Sequence, residues 1–233
     1  MSAAQTLLLL PGLMCDATVW AHQREHLSAH AGIIIPNFRG FDSLAAMARH
    51  ALDLAPQSCA VAGHSMGGRV ALEMFRLAPQ RLTRLALLDT GVHAQSPGEA
   101  EVRQGYLDLA LREGMSAVAD KWIPPMVHPG RVADVELTAA IRDMVERTTV
   151  AEFQGQIRAL LQRPDASACL QALQCPTLLL VGRQDSWSPP QRHEEMLRLI
   201  ANAKLVMIED CGHMAPMEQP EAVTQALKEW LLC

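Results

Sequence analysis

Apolar positions along the chain follow two alternating rhythms. Short continuous apolar runs recur at Thr6–Leu10, Gly32–Pro36, Ser58–Ala62, Leu82–Leu88, Thr177–Val181 and Lys204–Ile208. Between them, near Ala17–Leu27, Leu44–Leu54, Met66–Leu77, Pro190–Ile200 and Pro220–Leu231, apolar residues return at helical spacing. The last of these is the clearest, with Val223, Ala226, Leu227, Trp230 and Leu231 on one face. A strand that is apolar at every position is buried on both faces. The alternation therefore predicts an α/β fold: a mainly parallel sheet of about six strands, flanked by helices on both sides.

One stretch departs from this rhythm. From His93 to Asp165 there is no strand pattern, only helical segments punctuated by Pro97-Gly98, Pro124-Pro125, Pro129-Gly130 and Pro164. Leu137, Ile141, Met144, Val145 and Thr148 share one helical face there. The expected organisation is a core of residues 1–92 and 166–233, interrupted by a helical cap over 93–165.

Composition narrows the function classes. With 49% hydrophobic and 19% charged residues, the chain can bury a sizeable core and is not a disordered protein. A net charge of −5 argues against nucleic acid as a partner. The apolar runs are too short for membrane insertion, and no basic n-region precedes the first one, so a cytoplasmic protein is expected. Six cysteines without ligand spacing read as free thiols. His22, His26 and His30 recur at intervals of four, but no carboxylate or cysteine completes a metal site, which leaves a solvated helix face. No G-x-G-x-x-G follows a strand, so a dinucleotide cofactor is not indicated, and the chemistry described next needs no cofactor and no metal. No signal sets an oligomeric state.

The chemistry is concentrated just after three strands. Gly63-His64-Ser65-Met66-Gly67 lies between the third apolar run and a helix. A strand-to-helix turn this tight requires glycines where its two arms meet, and it pushes Ser65 above the sheet at a helix N-terminus. A serine hydroxyl needs a base held by a third group. Asp185 follows the fifth run and His213 the sixth, so serine, acid and histidine all fall at strand carboxyl ends, where open parallel sheets bind ligands. Asp89, ending the fourth run, and Asp210, three residues before His213, are the rival acids.

These motifs, with Leu10-Pro11-Gly12, Phe38-Arg39-Gly40, Gly182-x-x-Asp185-x-x-x-Pro189 and Gly212-His213-x-x-Pro216-x-Glu218-x-Pro220, resemble the capped α/β-hydrolases over nearly the whole chain. The resemblance implies Ser65 as nucleophile, His213 as base and Asp185 as the acid that orients it. It implies backbone N–H groups of Met66 and Leu13 as the oxyanion hole. Relatives carry histidine where this chain has Pro11, so a side-chain brace of that loop is expected to be lost. The sheet is expected to be trimmed at its N-terminal edge. His93, Trp122, Met126 and Trp187 are expected to line the substrate site, with Tyr106 and Met144 also shaping the pocket.

The resemblance implies a serine hydrolase that cleaves small-molecule carboxylic esters through an acyl-enzyme. Carbon–carbon bond hydrolases, retro-addition lyases and slow-turnover ligand receptors share these three residues and remain open. The layout also resembles pimeloyl carrier-protein methyl ester esterases. An acidic carrier would want a basic cap. The cap carries eight Lys or Arg against eleven Asp or Glu, although arginines 142, 147, 158 and 163 are candidates for a spatial cluster. The count favours a free ester.

Overall fold

In the computed structural model, which describes residues 5–233, the apolar runs form one parallel sheet. Its strands are β1 (Thr6–Leu10), β2 (Gly32–Ile34), β3 (Cys59–His64), β4 (Leu82–Leu88), β5 (Thr177–Gly182) and β6 (Ala203–Ile208), in the order β2-β1-β3-β4-β5-β6. The helices are α1 (Ala21–Leu27), α2 (Leu44–Leu54), α3 (Met66–Leu77), α4 (Glu99–Trp122), α5 (Val135–Glu146), α6 (Val150–Leu161), α7 (Ser167–Ala172), α8 (Pro190–Leu199), α9 (Ala215–Glu218) and α10 (Pro220–Leu232).

Strand periodicity explains why runs of leucine suit this sheet. Leu7 and Leu9 of β1 face a core shared with α1, α10 and the helices inserted after β4, whereas Leu8 and Leu10 face one shared with α2, α3, α7 and α8. All four leucines are fully buried. Each contributes roughly 1.5–3 kcal/mol of transfer free energy. Truncating one to alanine would cost about 2–5 kcal/mol, because the two-sided packing cannot collapse onto the void.

Four strands differ in length from the sequence expectation: β5 and β6 each gain one residue, and β2 and β3 change in ways that matter for the sheet edges. β2 stops at Ile34, at the sheet edge, leaving Ile35 and Pro36 outside it. β3 continues through Gly63 and His64, which keep register with Leu87 and Leu88 of β4. The sheet thus carries the turn residues directly to its carboxyl edge. Between β4 and β5 lie only helices. α4 bends at Gly114, whose φ of 83° departs from helical geometry. The sequence reading missed this kink. α5 is capped by Asp134, and α6 by a Thr149–Glu152 capping box. No helix is long and apolar enough to cross a membrane among the described residues.

Candidate active site

Among the described residues, four that are not glycine adopt positive φ: Met14, Ser65, Asp89 and Asp210. They follow β1, β3, β4 and β6, so the backbone strain gathers at one edge of the sheet. Such conformations cost on the order of 1–3 kcal/mol each and persist only where surrounding contacts enforce them. At Ser65 those contacts are explicit. Its N–H donates to Leu88 O at 2.9 Å, and its carbonyl accepts from the Thr90 hydroxyl at 2.7 Å and from Gly68 N–H at 3.0 Å. A Cβ on Gly63 would collide with the Gly67 carbonyl, and one on Gly67 with the Leu10 carbonyl. The turn can close only with glycine at both positions.

His213 lies across the sheet edge from this turn. Ser65 Oγ is 2.8 Å from His213 Nε2, and His213 Nδ1 is 2.8 Å from Asp185 Oδ2. With Nδ1–H donating to the carboxylate, Nε2 is left to accept from the hydroxyl. The other Asp185 oxygen accepts the N–H groups of Trp187 and Ser188 at 2.8 and 2.9 Å. Burial opposes ionisation of Asp185, but the charge and hydrogen bond of His213, with those two amides, outweigh it and hold the carboxyl below its usual range.

The loop carrying His213 is held by groups that the motif alone did not explain. Buried Glu218 accepts the N–H groups on both sides of His213, from Gly212 at 2.9 Å and Met214 at 3.1 Å, and also that of His128 at 2.6 Å. His213 N–H donates to Met126 O. His64, the variable residue of the turn, donates from Nε2 to the His213 carbonyl at 2.8 Å. Burial and the neighbouring His213 charge pull His64 down to about 3, so it is a neutral brace.

Across the cavity, the loop after β1 supplies Leu13 and α3 begins with Met66. The N–H of a first helical residue has no partner within its own helix, and Met66 is in that position beside Ser65. With Pro11 at the histidine's position, this loop takes a side-chain brace from a distant part of the chain. Gln156 of α6, fully buried, accepts from Met14 N–H at 2.9 Å and donates to Phe38 O at 3.4 Å. A polar residue at a core-facing position between Phe153 and Ile157 was the available signal, and it was missed.

Ser65, His213, Leu13 and Met66 line one cavity of about 780 Å³. His93, Trp122, Met126 and Trp187 line it too. Met144 does not: it is buried in the core beneath α5, because its helical face packs inward with Ile141 and Val145. Tyr106 also packs against that core and lies outside the cavity lining. Asp210 is exposed in its turn, and Asp89 is buried with Oδ1 accepting from Gly182 N–H. Arginines 142, 147 and 158 do not form a cluster; they pair separately with Asp120 and Glu146, Asp16, and Asp42. His22 bonds to Thr224 Oγ1 and stacks on His26, and no group of three metal-ligating side chains forms among the described residues.

A parallel sheet with a serine on its tight strand–helix turn, and an acid and a histidine beyond later strands, defines a class of hydrolase-like proteins. The chain belongs to the alpha/beta hydrolase family, whose model matches residues 7–226. It is 27% identical to a pimeloyl-[acyl-carrier protein] methyl ester esterase of Nitrosomonas europaea, over 92% of this chain and 91% of that one. It is 24% identical to an (E)-2-((N-methylformamido)methylene)succinate hydrolase of Acinetobacter baylyi, over 97% and 90%. A thermophilic esterase from Thermogutta terrifontis, solved with malate bound, superposes with a TM-score of 0.90 at 36% identity, covering 99% of this chain and 90% of its own.

Proposed function

We propose that the protein is a serine hydrolase cleaving carboxylic esters of small molecules through an acyl-enzyme. The observation that carries this reading is the unbroken chain Ser65–His213–Asp185, with both links at 2.8 Å, opening onto the cavity. Likeness to esterases supports the choice of ester over other bonds. The helices of residues 93–165 serve as the cap, since Trp122, Leu160 and Arg163 roof the cavity that holds Ser65.

In this mechanism Ser65 Oγ attacks the ester carbonyl as its proton passes to His213 Nε2. Asp185 steadies the imidazolium, and the carbonyl electrons move onto an oxyanion facing the N–H groups of Leu13 and Met66. Collapse breaks the bond to the alcohol, which leaves with the proton from Nε2. Water then attacks the acyl-enzyme, giving its proton to His213, and Ser65 recovers that proton as the acid departs.

The test is Ser65→Ala. Removing a hydroxyl that faces the cavity leaves no core void, so the variant should fold like wild type. Turnover of an activated nitrophenyl ester should fall on the order of 10³-fold or more, and fluorophosphonate labelling should disappear. Undiminished turnover by the purified variant would overturn the assignment. Labelling of wild type with no turnover of any ester would favour a receptor that keeps the three residues.

A further inference from the structure

The cavity is chemically lopsided. Away from Ser65 its wall carries four arginines: Arg69, Arg103, Arg163 and Arg192. Two of them share one internal carboxylate. Glu99 is shared by Arg163, paired at 2.5 Å, and Arg103, paired at 2.8 Å, and these contacts, working against burial, pull its carboxyl down to about 2. The other two are different. Among the described residues neither Arg69 nor Arg192 has a carboxylate within 4.0 Å. Arg69 donates from Nη1 to His93 O at 2.9 Å, and Arg192 from Nη1 to Trp187 O at 3.2 Å.

These two head groups come together. A Cβ placed on Gly91 would be 3.4 Å from Arg69 Nη2 and 3.9 Å from Arg192 Nη1, so both guanidinium groups border the same point, just beyond β4. Neither position favours a cation. Arg192 stands in the first turn of α8, at the positive end of the helix. Burial and the charges of Arg163, Arg103 and Arg192 lower Arg69 to about 9, which leaves it charged at neutral pH. Glu99 and Asp165 also line the cavity, but neither pairs directly with Arg69 or Arg192, so two cations held close in a half-enclosed wall raise the free energy of the empty site unless an anion joins them.

We infer that Arg69 and Arg192 form a carboxylate subsite, so that the substrate is an ester bearing a second, ionised carboxylate, as in a half-ester of a short dicarboxylic acid. Arg69 stands in the first turn of α3, four residues after Ser65, and both line the same cavity, so a short dicarboxylic chain is the class that joins the reacting carbonyl to this subsite. This subsite gives the ester reading its acyl half and rests on that reading only for the reaction, not for the binding.

The test compares the 4-nitrophenyl half-ester of glutaric acid with its isosteric primary amide. Wild type should favour the acid about tenfold or more in kcat/KM, a preference that shrinks with added salt. Arg192→Met should lower that preference about tenfold through KM, and Arg192→Lys should recover part of it. Arg69→Met should act in the same direction. Since Arg69 is the more enclosed and its loss could disturb folding, Arg192 and unlabelled glutarate carry the decision. Glutarate should bind wild type in calorimetry and about tenfold more weakly to Arg192→Met. Equal handling of acid and amide, or a preference untouched by Arg192→Met, would overturn the subsite. If neither ester is cleaved, the hydrolase reading fails, and glutarate binding alone decides: Arg192-dependent binding sustains the subsite, and no binding sinks it.

Discussion

Two aspartates end neighbouring strands of one sheet, and the protein treats them in opposite ways. Asp89 follows β4 and Asp185 lies just beyond β5; both are almost completely buried. Asp185 receives a histidine and two backbone amides, and its carboxyl is held low. Asp89 receives one amide, from Gly182, while its Oδ2 has no partner among the described residues. Burial and the charge of Asp185 therefore push Asp89 well above the carboxylate range. Residue type and depth are the same at both sites. What separates a carboxyl held low from one pushed high is the number of donors supplied, because each donor offsets part of the desolvation cost and burial alone does not.

The sharpest way to break this comparison is to neutralise each in turn. Asp185→Asn should lose roughly 10³- to 10⁴-fold in kcat, since the amide favours the wrong imidazole tautomer and cannot steady the imidazolium. Asp89→Asn should change kcat/KM by no more than about threefold, because the amide keeps an oxygen for Gly182 N–H and the residue bonds to neither Ser65 nor His213. Steady-state kinetics on one activated ester check both, and a larger loss at Asp89 would reverse their roles.

The effect of Asp89→Asn belongs instead to stability. Between the ordinary aspartate value of 3.8 and its raised value in the fold, only the folded chain keeps the proton on Asp89, so this residue makes wild-type stability fall as pH rises through that window. The variant has no such slope, and the denaturation midpoints of the two proteins should diverge as pH rises above about 4. His193, whose Nε2 accepts from Thr90 N–H beside Asp89, acts with the opposite sign. Burial lowers it from 6.5 to about 4. Above pH 6.5 it is neutral folded and unfolded and contributes nothing. Between 6.5 and about 4 only the unfolded chain takes up the proton, so stability drops as pH falls, and below about 4 the slope ends. His193→Gln should flatten that limb in urea titrations.

The smallest expected effect is at Cys211. It is fully buried, and burial together with the charges of Asp89, Glu218 and Asp185 drives its thiol far up. Iodoacetamide on folded protein should label the exposed Cys233 and spare Cys211, as peptide mass mapping would reveal. Cys211→Ser should retain most of the activity.

The parts legible in the sequence are those carried by local patterns. Strands buried on both faces read as apolar runs, and Ser65, Asp185 and His213 stand in short motifs whose backbone geometry dictates neighbouring residues. The bracing groups were not legible in that way. Gln156 and Met14 are 142 positions apart, and His64 reaches a carbonyl 149 positions away. No spacing rule relates such residues until the sheet brings its loops to one edge. Glu218 stood within a motif, yet only its two short bonds around His213 reveal why. The uncommitted arginines were hidden for a different reason: a charge count sums cations without telling which have a partner.

Gln156 has a consequence for engineering by recombination. In the loop that carries Leu13, the Met14 N–H finds its acceptor on α6, a helix inserted after β4. A chimera that kept this core and took the intervening helices from a relative lacking glutamine there would bury the Met14 N–H without an acceptor, at a cost of about 1–3 kcal/mol. That penalty would fall on the loop opposite Ser65 rather than on the grafted helices. Cap and core are therefore not interchangeable cassettes, and a swap would have to carry residue 156 and the Phe38 carbonyl it also meets as one unit.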